Sequence, residues 1–271
     1  TARSLVADLA RQAILPGEVV SYMLPNGVAA ASVFLGAMYG GYVVSPMSLL
    51  AQDALLEHTL AHSETRIVYV APEFAPRLHA ILRPTSPDDL ALPTATAEAP
   101  PGTLASTTPA MLMYTSGTTG TPKGALLSHG NLVHAGQTIG AAHELTPADR
   151  VLSSLPLYHV NGQCIATISP LVSGGSIVMP HRFSVSQWWS LVERYRPTWL
   201  NVVPTIIAYL LNGPELTPAQ AAACRRIRFA RSASAPLAPE HHRAFEARFG
   251  ISVLEGMGLT ECASVAFANP L

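Results

Sequence analysis

Residues 114–124 of this chain read YTSGTTGTPKG, and this segment decides how the rest of the sequence is interpreted. Its three glycines permit positive φ angles, so consecutive backbone amides can turn toward one centre. Such amides form a nest for an anion, and five Ser or Thr hydroxyls and the Lys123 ammonium add further donors. Because the apolar run 111–115 leads into it, we predict a strand followed by a phosphate-binding loop.

The segment does not fit the Walker type of P-loop. That motif requires Gly, four residues and then Gly-Lys-Ser/Thr, but counting from Gly117 puts Pro122 at the second glycine and Gly124 at the hydroxyl. Residues 125–128 (ALLS) are typical of a strand rather than of the helix that should follow. Lys123 is the single lysine beside 15 arginines, which argues against an incidental surface turn.

Short apolar runs alternate with helical patterns, which predicts an α/β fold of layered, mainly parallel sheets flanked by helices. The predicted strands are residues 19–24, 42–44, 66–70, 111–115, 151–154, 176–179, 198–203, 227–231 and 252–255. Predicted helices cover residues 26–39, 49–61 and 239–249, and two more begin at Ser184 and Thr217. Asn26 is the expected N-cap of the first of these helices, and Ser184/Gln187 and Thr217/Gln220 have capping-box spacing.

Composition narrows the class of protein. With 49% apolar and 12% charged residues, the chain can bury a large core, and a net charge of −1 without a basic block argues against nucleic-acid binding. The cysteines (Cys164, Cys224, Cys262) have neither disulfide nor zinc spacing, which indicates a reducing, cytoplasmic location. The apolar run 28–44 is short and interrupted by glycines, so we predict a buried helix and no transmembrane segment.

The loop segment closely resembles the phosphate-loop signature of the AMP-forming superfamily of acyl-CoA synthetases, peptide-synthetase adenylation domains and luciferases. Further segments resemble that family's motifs in the family's order: residues 24–26 (LPN), 36–41, 156–159 (PLYH), 232–237 (SASAPL) and 255–261 (EGMGLTE). The resemblance implies that residues 1–271 are a partial N-terminal ATP- and acyl-binding domain. Within it, residues 1–83 form a first β-α portion, 84–109 a proline-rich surface connection, and 110–271 the portion with the phosphate loop and the adenine and acyl motifs.

The resemblance also implies roles for individual residues. Thr115, Ser116, Gly117, Thr118, Thr119, Gly120, Thr121 and Lys123 would bind the β- and γ-phosphates of ATP, with Lys123 among the catalytic residues. Thr260 would contact phosphate and Glu261 would help hold Mg²⁺, both serving catalysis. Ser234, Ala235 and Pro236, together with Gly256, Met257 and Gly258, would bind the nucleotide on its adenine side. His159 would lie beside the carboxylate, without acting as a base, because a carboxylic acid is already ionised at pH 7.

Two departures from the family's pattern affect these expectations. Met257 stands where the family usually has an aromatic residue that stacks on adenine, so ATP affinity or base preference is expected to differ. The chain also stops before the family's Thr-Gly-Asp segment, its hinge and its small C-terminal domain, which carries the lysine required for adenylation. It begins without Met as well, so we expect a piece of a longer protein that alone binds ATP weakly and turns over negligibly.

The resemblance implies a ligase that uses Mg·ATP to convert a small-molecule carboxylic acid, aliphatic or aromatic, into acyl-AMP and then transfers the acyl group to coenzyme A. Two alternatives remain open: an adenylation domain that loads a carrier-protein thiol, and a non-catalytic nucleotide-binding remnant. The acid itself is not identified. Arg231, near the expected acyl pocket, either pairs with an acidic group of the substrate or is a surface residue. His58 and His62, four residues apart, are expected on a solvated helix face rather than in a metal site.

Overall fold

A computed structural model describes residues 1–82, 103–115 and 122–271 of the chain. These residues form two compact units, Thr1–Asn131 and Leu132–Leu271. Each unit contains one β-sheet, and the strands of both sheets are mainly parallel. The predicted α/β class is therefore confirmed.

The sheet of the first unit has five strands in the order β3-β1-β2-β4-β5. The strands are β1 (Val19–Met23), β2 (Val43–Pro46), β3 (Ile67–Val70), β4 (Pro109–Thr115) and β5 (Lys123–Ser128). The first four run parallel to their neighbours, and β5 pairs with β4 in the antiparallel sense at the edge. The helices are α1 (Ala2–Arg11), α2 (Val28–Tyr39), α3 (Asp53–His62) and α4 (Ala75–Leu82). All residues of β2 and β3 are buried, as expected for parallel strands covered by helices.

The sheet of the second unit has six strands in the order β11-β10-β9-β8-β6-β7. They are β6 (Arg150–Ser153), β7 (Ser176–Val178), β8 (Trp199–Val202), β9 (Phe229–Ser232), β10 (Val253–Met257) and β11 (Phe267–Ala268). Strands β6 to β10 are parallel, and β11 is antiparallel to β10.

The helical segments from residue 129 onward are mostly short. They are α5 (His129–Ala142), a π-helical segment (Asn161–Ile168), α6 (Ser169–Val172), α7 (Val185–Tyr195), α8 (Pro204–Leu211), α9 (Pro218–Cys224), α10 (Pro239–Phe249) and a 3₁₀ turn (Thr260–Cys262). Trp188 and Trp189 of α7 are buried in the same apolar cluster as Phe245 and Phe249 of α10. The Trp189 and Phe249 rings lie 4.5 Å apart, so these tryptophans are core residues.

Two of the three predicted helix caps differ in the structure. Thr217 and Gln220 form the predicted capping box at the start of α9. At α7, however, the Ser184 hydroxyl hydrogen-bonds with the Ser186 hydroxyl at 3.1 Å and makes no cap bond. The N-cap of α2 is Gly27 rather than Asn26. For Ser184 the cause is the competing hydroxyl, because a side chain that bonds to another partner does not serve the helix end.

A charged cluster ties together the amino ends of three strands in the second sheet. Asp149, just before β6, accepts hydrogen bonds from Thr198 Oγ1 at 2.6 Å and from Arg228 Nη1 at 2.9 Å. Burial alone would raise the pKa of Asp149, but these bonds and two from Thr146 outweigh it and hold the pKa below its usual range. The cluster therefore stabilises the alignment of β6, β8 and β9.

Within the described residues, no helix combines the length and apolarity that a membrane crossing requires. The apolar run around residue 33 forms α2, whose Val33 and Phe34 are fully buried. The predicted buried helix is therefore confirmed.

Candidate active site

The predicted phosphate loop lies between two paired strands of the first unit. β4 ends at Thr115 and β5 begins at Lys123, and these two residues are direct partners in the antiparallel register. The six predicted loop residues between them lie outside the described residues: Ser116, Gly117, Thr118, Thr119, Gly120 and Thr121. Lys123 is exposed at the start of the edge strand, so its ammonium is accessible to an anion.

Two histidines of α3 contact the residues that flank this loop. His62 Nδ1 lies 2.8 Å from the Tyr114 hydroxyl, and His58 Nε2 lies 3.2 Å from the carbonyl oxygen of Pro122. His58 is half-buried, so the expectation of a solvated face holds only for His62, which is exposed. Across the described part of the chain, no three His, Cys, Asp or Glu side chains are grouped to hold a metal ion. The two imidazoles instead brace the strand ends beside the loop.

The carboxyl ends of β9 and β10 open into a cavity of about 640 Å³. Its walls are Ser234, Ala235, Pro236, Glu255, Gly256, Met257, Gly258, Phe267, Ala268 and Asn269. The structure thus brings together the six residues predicted on the adenine side, whereas Thr260 of the 255–261 motif is not part of the wall. The volume is in the range of small-molecule sites, and the carboxyl ends of parallel strands are where such sheets commonly bind ligands.

Met257 and Phe267 form an exposed apolar pair on the wall of this cavity. They are register partners between β10 and β11, and they are 58% and 70% exposed. An aromatic ring that remains this exposed while lining a cavity is available to a planar ligand. Phe267 therefore offers a ring next to the position where Met257 lacks one.

A chain of hydrogen bonds runs from the cavity wall into the sheet. Asn161 Nδ2 donates to Ser234 Oγ at 3.1 Å. Asn201 Nδ2 lies 3.1 Å from Asn161 Oδ1 and 3.3 Å from Ser153 Oγ, and Asn201 is fully buried on β8. Ser234 has a φ of 75°, which places it in the left-handed region that is uncommon for serine. The network and this backbone conformation fix the loop over the strand ends.

Arg231 on β9 is a buried cation beside this network. It is 1% exposed, and the register of β8 and β9 pairs it with Asn201. A β-carbon at position 256 would lie 2.6 Å from Arg231 Nη2, so glycine at that position leaves room for the guanidinium. Burial lowers the pKa of Arg231 to about 10, which leaves it charged at neutral pH. Arg231 was expected either to pair with an acidic group of the substrate or to lie at the surface. Its burial excludes the surface position.

The turn after the cavity carries the predicted phosphate and metal ligands. A β-carbon at Gly258 would lie 1.1 Å from the carbonyl oxygen of Ser264. The backbone at the end of the turn therefore packs directly against residue 258, where only glycine leaves enough room. Thr260 is half-buried and Glu261 is exposed in the 3₁₀ turn that follows. Neither side chain is part of the cavity wall, and their contacts with phosphate and Mg²⁺ stay predictions.

His159 ends the 156–159 motif with an exposed side chain. Its ring lies 4.9 Å from that of Tyr158, tilted by 58°. Desolvation by the surrounding protein lowers the pKa of His159 below 6.5, so the imidazole is neutral at pH 7. A β-carbon at Gly162 would lie 2.3 Å from the Pro156 carbonyl oxygen, which explains why the second residue of the π-helical segment is glycine. The role of His159 beside the acid stays a prediction.

Sequence reasoning missed three polar or aromatic residues of this region: Asn201, Glu255 and Phe267. Glu255 lines the cavity, where Oε2 accepts a hydrogen bond from the Leu237 amide at 3.4 Å and Oε1 lies 3.6 Å from His242 Nδ1. Its place at the start of the 255–261 motif was a signal that could have identified it. Asn201 and Phe267 carry no such signal, because only the strand register brings them to the site.

Comparison with known proteins gives consistent results. A family model described as AMP-binding enzyme matches residues 2–271. A sulfoacetate–CoA ligase of Cupriavidus necator is 53% identical over 268 residues, covering 94% of this chain and 52% of the relative. An oxalate–CoA ligase of Arabidopsis thaliana is 31% identical, in an alignment that covers 100% of this chain and 55% of the relative. The chain therefore spans about half the length of these curated relatives.

Solved structures show the same relationship. The ATP-bound crystal structure of MatB from Rhodopseudomonas palustris has a TM-score of 0.84 at 29% identity, covering 99% of this chain and 55% of MatB. A benzoate CoA ligase from Burkholderia xenovorans also has a TM-score of 0.84, at 26% identity, covering 99% of this chain and 56% of that ligase.

Proposed function

Because the chain belongs to the AMP-binding enzyme family, we propose that the protein converts a carboxylic acid into its acyl adenylate and then into a coenzyme A thioester. The observation that carries this proposal is the cavity at the carboxyl ends of β9 and β10, lined by six residues of two predicted nucleotide-binding motifs. The names of the similar proteins support coenzyme A as the acceptor, since several are CoA ligases. A carrier-protein thiol is the acceptor to be excluded.

The cavity suits the adenine and ribose side of ATP. Glycine at 256 and 258 leaves backbone on its wall, while Met257 and Phe267 offer apolar surface for a planar base. We place the β- and γ-phosphates at residues 115–123, where backbone amides, hydroxyls and Lys123 would bind them. Charge-assisted bonds of this kind contribute about 1.5–3 kcal/mol each, so a few suffice to hold a triphosphate.

The donor set is compatible with a magnesium ion bound largely by the substrate. Mg²⁺ takes oxygen ligands and commonly uses only one or two protein carboxylates together with phosphates and water. Glu261 supplies one exposed carboxylate, and Thr260 a hydroxyl, in the turn beside the cavity. Mg²⁺ would supply charge neutralisation on the pyrophosphate that leaves.

The two half-reactions balance without a redox step. A carboxylate oxygen of the acid forms a bond to the α-phosphorus of ATP. The bond between the α-phosphorus and the oxygen that bridges it to the β-phosphate breaks, and pyrophosphate leaves. The thiol sulfur of coenzyme A then bonds to the acyl carbon, AMP leaves with the original carboxylate oxygen, and the thiol proton is released to solvent. Neutral His159 would hold the carboxylate by a hydrogen bond, and no base is required in the first step.

We propose that the acid is short and carries a second acidic group. The similar proteins include a sulfoacetate–CoA ligase and two oxalate–CoA ligases, by name enzymes of such acids. We further place the reaction in the cytoplasm. The cysteines Cys164, Cys224 and Cys262 are all unpaired, as is usual in a reducing compartment.

Acid-dependent exchange of labelled pyrophosphate into ATP, measured on the complete protein, tests the first half-reaction. The expected result is exchange that requires both Mg²⁺ and one of a panel of acids, with sulfoacetate among the best. No exchange above the acid-free rate with any acid would refute the proposal. Mass spectrometry of the product formed with coenzyme A, against a carrier protein as the competing acceptor, then identifies the thiol.

A further inference from the structure

Arg231 is a buried charge for which the described residues provide no counter-ion. Its side chain lies in the interior of the second unit at 1% exposure. Neither Nε nor Nη1 has a hydrogen-bond partner anywhere in residues 1–82, 103–115 or 122–271. By contrast, Arg228, three residues earlier, is ion-paired with Asp149 at 2.9 Å. A buried cation without a partner destabilises the folded protein, so its presence calls for a ligand or a function.

The guanidinium lies behind the cavity wall, although Arg231 is not itself part of that wall. Gly256 forms part of the cavity wall and lies directly against Arg231 Nη2. On the other side, Asn201 is its register partner on β8, and Asn201 Oδ1 is also buried without a partner among the described residues. Arg231 and Asn201 thus leave polar atoms unpaired at the carboxyl ends of adjacent strands.

The surroundings of Arg231 favour an anion as the missing partner. Nearby His143 cannot be the counter-ion, because an imidazole is either neutral or positively charged, and burial together with Arg231 and Arg228 keeps it neutral by lowering its pKa to about 4. The Ser153, Asn161 and Ser234 side chains are already joined to one another through Asn201. A guanidinium presents a planar fork of donors that matches two oxygens of a carboxylate or a sulfonate.

We propose that Arg231 binds the second anionic group of the substrate acid and thereby determines which acids the enzyme accepts. This inference rests on the proposed function, since it assigns a residue to one end of the acid whose other end is adenylated. An acid with one carboxylate leaves the guanidinium without a partner and is therefore a poor substrate. Sites built around a buried polar group reject analogues that lack its partner by about 10⁴-fold or more.

The experiment compares sulfoacetate with propionate in the complete protein. Wild type, Arg231→Met, Arg231→Lys and Arg226→Met are assayed by pyrophosphate exchange, and sulfoacetate binding is measured separately by calorimetry. Arg226 is exposed just before β9, so Arg226→Met is the matched control. In Arg231→Met we expect kcat/KM for sulfoacetate to fall at least about 100-fold relative to propionate. The KM for ATP should be unchanged, and Arg231→Lys should recover part of the selectivity.

Other outcomes are equally informative. Equal losses for both acids, or a raised KM for ATP, would overturn the assignment and place Arg231 in a structural or phosphate-binding role. A wild-type protein that binds sulfoacetate without exchanging pyrophosphate would refute the proposed activity. The assignment would still stand if Arg231→Met abolished that binding. Binding that is the same in wild type and Arg231→Met would refute the assignment by itself.

Discussion

Replacing His143 with leucine should remove part of the protein's sensitivity to acid. His143 is 1% exposed, follows α5, and packs against the rings of both Trp199 and Phe229, at centroid distances of 5.9 and 5.2 Å. Burial is the main reason that the pKa of His143 falls from 6.5 to about 4, and the positive charges of Arg231 and Arg228 lower it further. Between about pH 4 and pH 6.5, His143 is therefore neutral in the folded protein and protonated in the unfolded chain.

The sign and the size of the effect follow from the two pKa values. The folded-state pKa is depressed, so this residue costs nothing well above pH 6.5, and stability is lost as the pH falls from about 6.5 toward about 4. At about 1.36 kcal/mol per pH unit, the full penalty is about 3 kcal/mol, of which about 2 kcal/mol is present at pH 5. That corresponds to roughly 4–8 °C in Tm for a cooperative unit of 150–250 residues.

The assay is thermal unfolding of the complete protein at pH 7.5 and pH 5.0. His143→Leu should lose less Tm than wild type between these two values, by roughly 4–8 °C. His134→Leu is the matched control, because His134 is exposed on α5 and should leave the wild-type pH dependence unchanged. If His143→Leu and wild type lose the same Tm on acidification, burial of a neutral His143 is not a source of acid instability and the reasoning fails.

Three further predictions concern the candidate active site. Gly258→Ala should abolish acid-dependent pyrophosphate exchange, because its methyl group would lie 1.1 Å from the Ser264 carbonyl oxygen and displace the turn; wild-type exchange rates would contradict this. Lys123→Ala should raise the KM for ATP by about tenfold or more with unchanged Tm, and Lys123→Arg should restore part of it; an unaffected KM removes its assigned role. Met257→Tyr should tighten ATP binding severalfold in calorimetry, and Phe267→Ala should weaken it, whereas no change in either would place adenine elsewhere.

Elements with strong local signals were predictable from sequence. The helix over residues 239–249 matches α10, because Pro239 suits the first position of a helix and Gly250 follows the last with a φ of 65°. The buried strands β1, β3 and β8 were recognised from apolar runs that need no alternation when both faces are covered.

Helix α5 and strand β11 were missed because their stability comes from tertiary contacts. Helix α5 contains glycines that lower helix propensity, and a β-carbon at Gly136 would lie 3.0 Å from the Ile168 side chain, so close packing compensates for the weak local preference. Strand β11 has only two residues and forms through its pairing with β10. Neither contact has a signature within a short window of sequence.

The nucleotide side of the candidate site was predictable, and the interior of the site was not. The motifs at 232–237 and 255–261 identify residues that share one cavity. The burial of Arg231 beside Asn201 depends on the alignment of strands 30 positions apart in the chain. No local pattern distinguishes it from an arginine at the surface.

The second sheet has polar groups at both ends of its strands, and the two groups are separated by the length of a strand. At the amino ends, the Asp149 cluster joins three strands, whereas at the carboxyl ends Arg231 and Asn201 keep unpaired atoms. Substitutions at the carboxyl ends of the strands can therefore change substrate preference, while the contacts at the amino ends keep the strands in register. An evolving or engineered lineage can thus change the acid it accepts without first having to acquire compensating stability.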